Sequence, residues 1–73
     1  MYLNDHQINA MANAAFNSYE MTGDWNAAVR AAFEYALDEM NVRPNYSAVL
    51  LARKIAKTRW MAVSHRVRRE VGA

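Results

Sequence analysis

Apolar positions recur at helical spacing in three successive runs, and no stretch alternates with the period of two that marks a half-buried strand. The most regular run is the last. Val49, Ala52, Ala56, Trp60, Val63, Val67 and Val71 are separated by 3, 4, 4, 3, 4 and 4 residues. This eleven-residue repeat, about 3.67 residues per turn, keeps the stripe on one helical face with little supercoil. Ala48, Leu51 and Ile55 add a second apolar strip beside its first half, which predicts burial of that half between two other helices.

The first run opens with a capping box. Asn4 is placed to cap a helix, Gln7 stands three residues on, and Leu3 and Ile8 flank the cap where a hydrophobic staple would form. Ile8, Met11, Ala12, Ala15, Phe16 and Tyr19 then share one face. Gly23 supplies a left-handed stop, and Asp24 immediately caps the next helix, so the first two helices fold back tightly. Trp25, Ala28, Val29, Ala32, Phe33, Ala36 and Met40 form the second apolar face, with Asn26, Arg30, Glu34 and Asp38 opposite in solvent. Asn41 is the expected C-cap and Pro44 bars continuation. Asn45 or Ser47 then caps the third helix.

The pattern predicts an all-α fold, a small three-helix domain made of a helical hairpin and a long C-terminal helix. The expected helices span about 5–22, 25–41 and 46–71 of a single domain, 1–73. A chain of 73 residues buries only about 60% of its unfolded surface. Without cysteine there is no disulfide to reinforce it, so pairing with a second copy is the expected source of extra core. A final helix of some 25 residues would be about 37 Å long. The shorter helices of the hairpin cannot cover all of it, and a second subunit is the expected cover for Trp60, Val63, Val67 and Val71.

Charge sharpens the picture. The formal net charge is only +2, but it is unevenly spread. Residues 1–40 hold six acidic groups against Arg30, whereas residues 41–73 hold eight basic groups against Glu70. Seven of the nine Lys and Arg residues fall in the last helix: Arg53, Lys54, Lys57, Arg59, Arg66, Arg68 and Arg69. At about 100° per residue, Arg53, Lys54, Lys57, His65, Arg68 and Arg69 fan over the face away from the stripe. Such asymmetry suits an anionic partner, a self-complementary dimer, or neutralisation of the basic helix by the acidic ones within one chain.

Site chemistry is sparse. His6 and His65 lack acidic or thiol neighbours at metal-ligand spacing, so no metal site is expected. Gly23 and Gly72 are the only glycines, which excludes a glycine-rich phosphate loop, and no cofactor is implied. The serines and threonines show no paired base, and the adjacent Asp38 and Glu39 diverge on a helix. These absences argue against an enzyme. The first residues turn polar within four positions, unlike a secretory leader, and no apolar run approaches the ~20 residues that span a bilayer. A narrow stripe rich in valine and alanine is ill suited to lying on a membrane surface. A cytoplasmic protein is expected.

Two local resemblances follow from these residues. Ala52 to Val67 resembles a helix-turn-helix core, in which an alanine precedes a Val-Ser-Arg-like step, here Val63-Ser64-His65. The resemblance implies a turn at Lys57 or Thr58 and DNA binding, but neither residue is the usual glycine and the unbroken stripe favours one continuous helix. Tyr19, Gly23, Asp24, Trp25 and Ala28 resemble the inter-helix turn of a tetratricopeptide repeat. A single copy cannot bury its own face, and an ordinary helical hairpin is the simpler reading.

The expected function is therefore that of a small non-enzymatic binding or regulatory protein, adaptor- or inhibitor-like, acting through protein–protein contacts of its basic C-terminal helix. Its size suits a bacterial or bacteriophage accessory protein. Trp60 and Met61 point about 100° apart, which suits Trp60 as core and Met61 as rim; in the functional reading Trp60, Met61, Val63 and Val67 are the interface anchors, because Trp is a preferred interface hot spot and Met adapts to a partner surface. The expected partners are a second copy and a further, unidentified protein. The alternative is a DNA- or RNA-binding protein in which Arg53, Lys54, Lys57, Arg59, His65, Arg66, Arg68 and Arg69 contact phosphates.

Overall fold

The computed structural model describes the backbone of residues 3–72 and the side chains of residues 3–63. Three helices follow one another: α1 (Asp5–Thr22), α2 (Trp25–Asp38) and α3 (Tyr46–Gly72). The small all-α domain read from the sequence is the architecture observed.

Local chemistry fixes the helix starts. Asn4 accepts from the Gln7 backbone N–H at 2.8 Å, and the Gln7 side chain accepts from the Asn4 N–H at 3.0 Å. This reciprocal pair satisfies two donors that a helix start would otherwise leave unmet. Asp24 caps α2 by accepting from the Asn26 N–H at 2.9 Å, and Asn45 caps α3 by accepting from the Ala48 N–H at 2.8 Å. Between α1 and α2, Gly23 sits at φ 69°, where an L side chain is strained, and its N–H closes on the Tyr19 carbonyl at 2.8 Å. Thr22 reinforces the corner: its hydroxyl donates to the Ser18 carbonyl and accepts from the Asp24 N–H.

The end of α2 differs from the expectation. The helix stops at Asp38 rather than near Asn41, with Glu39 as its C-cap. Asn41 instead takes the left-handed conformation, φ 55°, in the loop beyond. The Val42 N–H then reaches back to the Ala36 carbonyl at 2.9 Å, so a wide turn satisfies the end of the helix before the chain reaches Pro44. Met40 still packs against the core from outside the helix, which explains why its spacing read as helical.

The core is built mostly from methyl groups. Its buried cluster comprises Met11, Ala12 and Ala15 from α1, Ala28, Ala32 and Ala36 from α2, and Val49, Ala52 and Ala56 from α3. The alanines at every fourth position of α2 and at Ala52 and Ala56 of α3 let the helix backbones approach closely. Larger side chains are pushed to the periphery of this centre, where Phe16, Tyr19, Trp25, Val29, Phe33 and Ile55 are half-buried around it. Met11 is the one large side chain fully buried among the described residues. Leu51 departs from its expected burial between helices and is 44% exposed. Its companions in the second strip do pack, Ala48 buried and Ile55 half-buried against the core, whereas Leu51 lies about 160° around the helix from Val49.

Candidate functional site

The residues expected to contact a partner lie on α3, and α3 is one unbroken helix through Lys57 and Thr58. This overturns the helix-turn-helix resemblance, which needs a turn there. Thr58 satisfies its hydroxyl by donating to the Lys54 carbonyl at 3.0 Å, a bond made within the helix.

Helical geometry then sorts the cations. Lys57 and Arg59 fall on opposite flanks of the buried stripe, since two residues rotate the helix by about 200°. Arg59 reaches across to α1, donating to the side-chain oxygens of Asn13 and, at 3.2 Å, Asn9. Asn9 and Asn13 are one turn apart, so their amides form a receptor for the guanidinium. On the other flank, the Lys57 Nζ lies 5.4 Å from the centre of the Trp25 ring. That placement gives a cation–π contact with α2. Lys57 and Arg53 are half-buried rather than fanned into solvent, and Lys54 is exposed. The Arg53 Nε is buried with no hydrogen-bond partner among the described residues. The four described cations therefore do not present one common face. His65, Arg66, Arg68 and Arg69 are candidates whose side chains lie outside the described residues.

An aromatic chain links all three helices beside this site. Trp25 stacks on Tyr19 with centroids 3.9 Å apart and planes 11° from parallel. Tyr19 meets Trp60 edge to face at 5.0 Å, and Phe16 meets Trp60 at 5.8 Å. Such pairs contribute roughly 0.5–1.5 kcal/mol each beyond simple burial. Trp60, expected as an anchor for a partner, is thus packed against α1 of its own chain. This changes the expectation that only a second subunit would cover it. α1 is long enough to reach Trp60 because the hairpin turn lies at the same level of the bundle as the middle of α3.

The other described anchors are open. Met61 is 69% exposed and Val63 46% exposed. Val63 and Ala62 line a groove of about 340 Å³ against Phe16 of α1, with Asn13 and Arg59 at its polar side. The side chain of Val67, the next expected anchor, lies outside the described residues. The Asn9–Asn13 receptor was readable as a polar pair at helical spacing, although its partner was not. The Lys57–Trp25 contact joins residues too distant in sequence for any local pattern to signal.

Among the described residues, no group of three or more His, Asp or Glu side chains comes together to hold a metal. No described helix is long and apolar enough to cross a membrane. In comparisons with known proteins, no family model matches the chain, and no curated protein or solved structure is significantly similar to it.

Proposed function

We propose that this protein is a small non-enzymatic binding protein, adaptor- or inhibitor-like, that acts through protein–protein contacts of α3 and pairs with a second copy of itself. One observation carries the reading. Past Trp60 the apolar stripe reaches Val63, which stands exposed at the edge of a groove floored by Phe16. Exposed apolar groups beside a groove are what a partner surface buries. The sequence continues the same spacing through Val67 and Val71, which extends the seam toward the end of the helix.

Light scattering on the full chain tests this, with Val63→Asp and Val67→Asp beside it. The expected wild-type mass is two chains, falling to one in the variants, because a buried carboxylate in an apolar seam is costly. Circular dichroism confirms that the variants keep their helices. A monomeric wild type, or dimers that survive both substitutions, would sink the self-association.

A second reading, binding of nucleic acid, is favoured by the eight basic groups against Glu70 in residues 41–73. It predicts that log K for a random duplex falls steeply with log salt, with a slope of about −0.9 per phosphate contact. Charge reversal at Arg66, Arg68 and Arg69 would then abolish binding while leaving the fold intact. Two of the cations it invokes, Lys57 and Arg59, already hold partners within the chain, which leaves fewer for phosphate.

A further inference from the structure

The other flank of the bundle carries a second groove, about 380 Å³ in volume, between α2 and the start of α3. Its α2 wall is Asn26, Val29, Arg30 and Phe33, and its other wall is Pro44, Tyr46 and Val49. The four α2 residues are spaced i, i+3, i+4 and i+7, one face of the helix beside the alanine face that is buried. Pro44 and Val49 are buried, and the Asn45 cap holds the first turn of α3 in place, so the floor is set by the fold. Tyr46 stands at the mouth, 74% exposed. The groove is independent of the Val63 seam, since Val49 and Val63 are separated by 14 residues of α3, about 21 Å along its axis.

Charge identifies the occupant. Arg30 is the only cation in the first forty residues, within a strongly acidic hairpin, and it lines this groove. Arg43, also exposed, immediately precedes the lining Pro44. An apolar floor with a single charged wall residue, the cation Arg30, matches a segment that combines apolar anchors with a carboxylate. The α2 wall runs over eight residues, Asn26 to Phe33, a rise of about 10 Å, or two helical turns. That length fits two anchors one turn apart, the spacing with which an amphipathic helix enters a groove. We propose that the α2–α3 groove docks an acidic amphipathic helix of a partner protein, its carboxylate meeting Arg30 and its apolar side chains resting on Val29, Phe33 and Tyr46.

The test is selection of a phage-displayed library of random 16-residue peptides on the full chain, followed by fluorescence titration of the selected peptides as synthetic probes. The variants are Arg30→Glu and Tyr46→Ala, both at exposed positions, with Val63→Asp as the control at the other surface. Helical content is checked by circular dichroism. The expected peptides share two apolar residues a turn apart with a nearby Asp or Glu. Their affinity should fall at least about tenfold in Arg30→Glu and in Tyr46→Ala, and should hold in Val63→Asp. Failure to select any peptide would overturn the proposal, as would peptides without acidic residues or peptides indifferent to Arg30→Glu. Peptides lost only in Val63→Asp would assign docking to the α1–α3 groove instead. A dimer mass that falls to one chain in Arg30→Glu would make the occupant a second copy, again against a partner helix.

Discussion

The hairpin and α3 solve the same packing problem in different ways. In the hairpin, α1 and α2 meet through a two-residue corner whose every turn of geometry has a local cause: Gly23 in the left-handed region, the Thr22 hydroxyl beneath it and the Asp24 cap after it. α3 has a local start at Asn45 but no local instruction about which residues matter. Its fate is divided by what the hairpin can reach. From Val49 to Trp60 it is held by alanine contacts, the Arg59–asparagine bonds and the Lys57–Trp25 contact. At Met61 to Val63 its side chains are exposed. One helix thus serves as core in its first half and offers surface after it. Local chemistry decides where a helix begins, whereas the length of its neighbours decides which part remains exposed.

The strongest way to break this comparison is Met11→Ala, which empties the centre shared by all three helices. It should cost about 2–5 kcal/mol in urea-induced unfolding, the range for a large buried side chain cut to alanine. Next is Ala32→Leu, which adds bulk to a fully buried alanine of the core and should cost about 1–3 kcal/mol by overpacking. A cost well below that range would show that the alanine centre is loose rather than close-packed. Gly23→Ala sharpens the corner: no atom lies within 4 Å of an added Cβ, so only the positive φ resists it. The expected loss is about 1–2 kcal/mol in thermal or urea melts, with the helix content unchanged. Lys57→Ala should cost only about 0.5–1 kcal/mol, the worth of its contact with Trp25 at a partly solvated site. Smallest is Leu51→Asn, expected to stay within about 0.5 kcal/mol of wild type because Leu51 faces outward. A large loss there, or a change of mass by light scattering, would reveal a partner covering the outer face of α3.

Much of the fold was legible beforehand, and the reasons are physical. The capping box at Asn4 and Gln7, the glycine stop at Gly23 and the caps at Asp24 and Asn45 act over two to four residues, so the sequence displays them directly. The period of the apolar positions identified the buried faces of α1 and α2; the unbroken stripe of α3 favoured a continuous helix without excluding a break near Lys57, and the helix is continuous. The end of α2 was misjudged because Asn41 does adopt the left-handed conformation of a helix stop, but in a loop three residues further on.

The candidate surfaces were less legible. Periodicity places residues on a face of their own helix, but it carries no information about how many neighbours that face meets. It therefore counted Leu51 as core and Lys57 as solvated, when the bundle leaves the first exposed and half-buries the second. It also left Trp60 open between core and interface anchor, a choice that its contacts with Phe16 and Tyr19 of α1 make in favour of packing within the chain. By itself, then, the sequence determined the helices, their caps, the alanine-rich faces and the uneven charge, all consequences of short-range hydrogen bonding, helical period and composition. The tertiary structure decided which apolar side chains become core, which cations are engaged, and where two grooves stay open. Those outcomes depend on contacts between residues tens of positions apart, set by the lengths and close approach of the three helices.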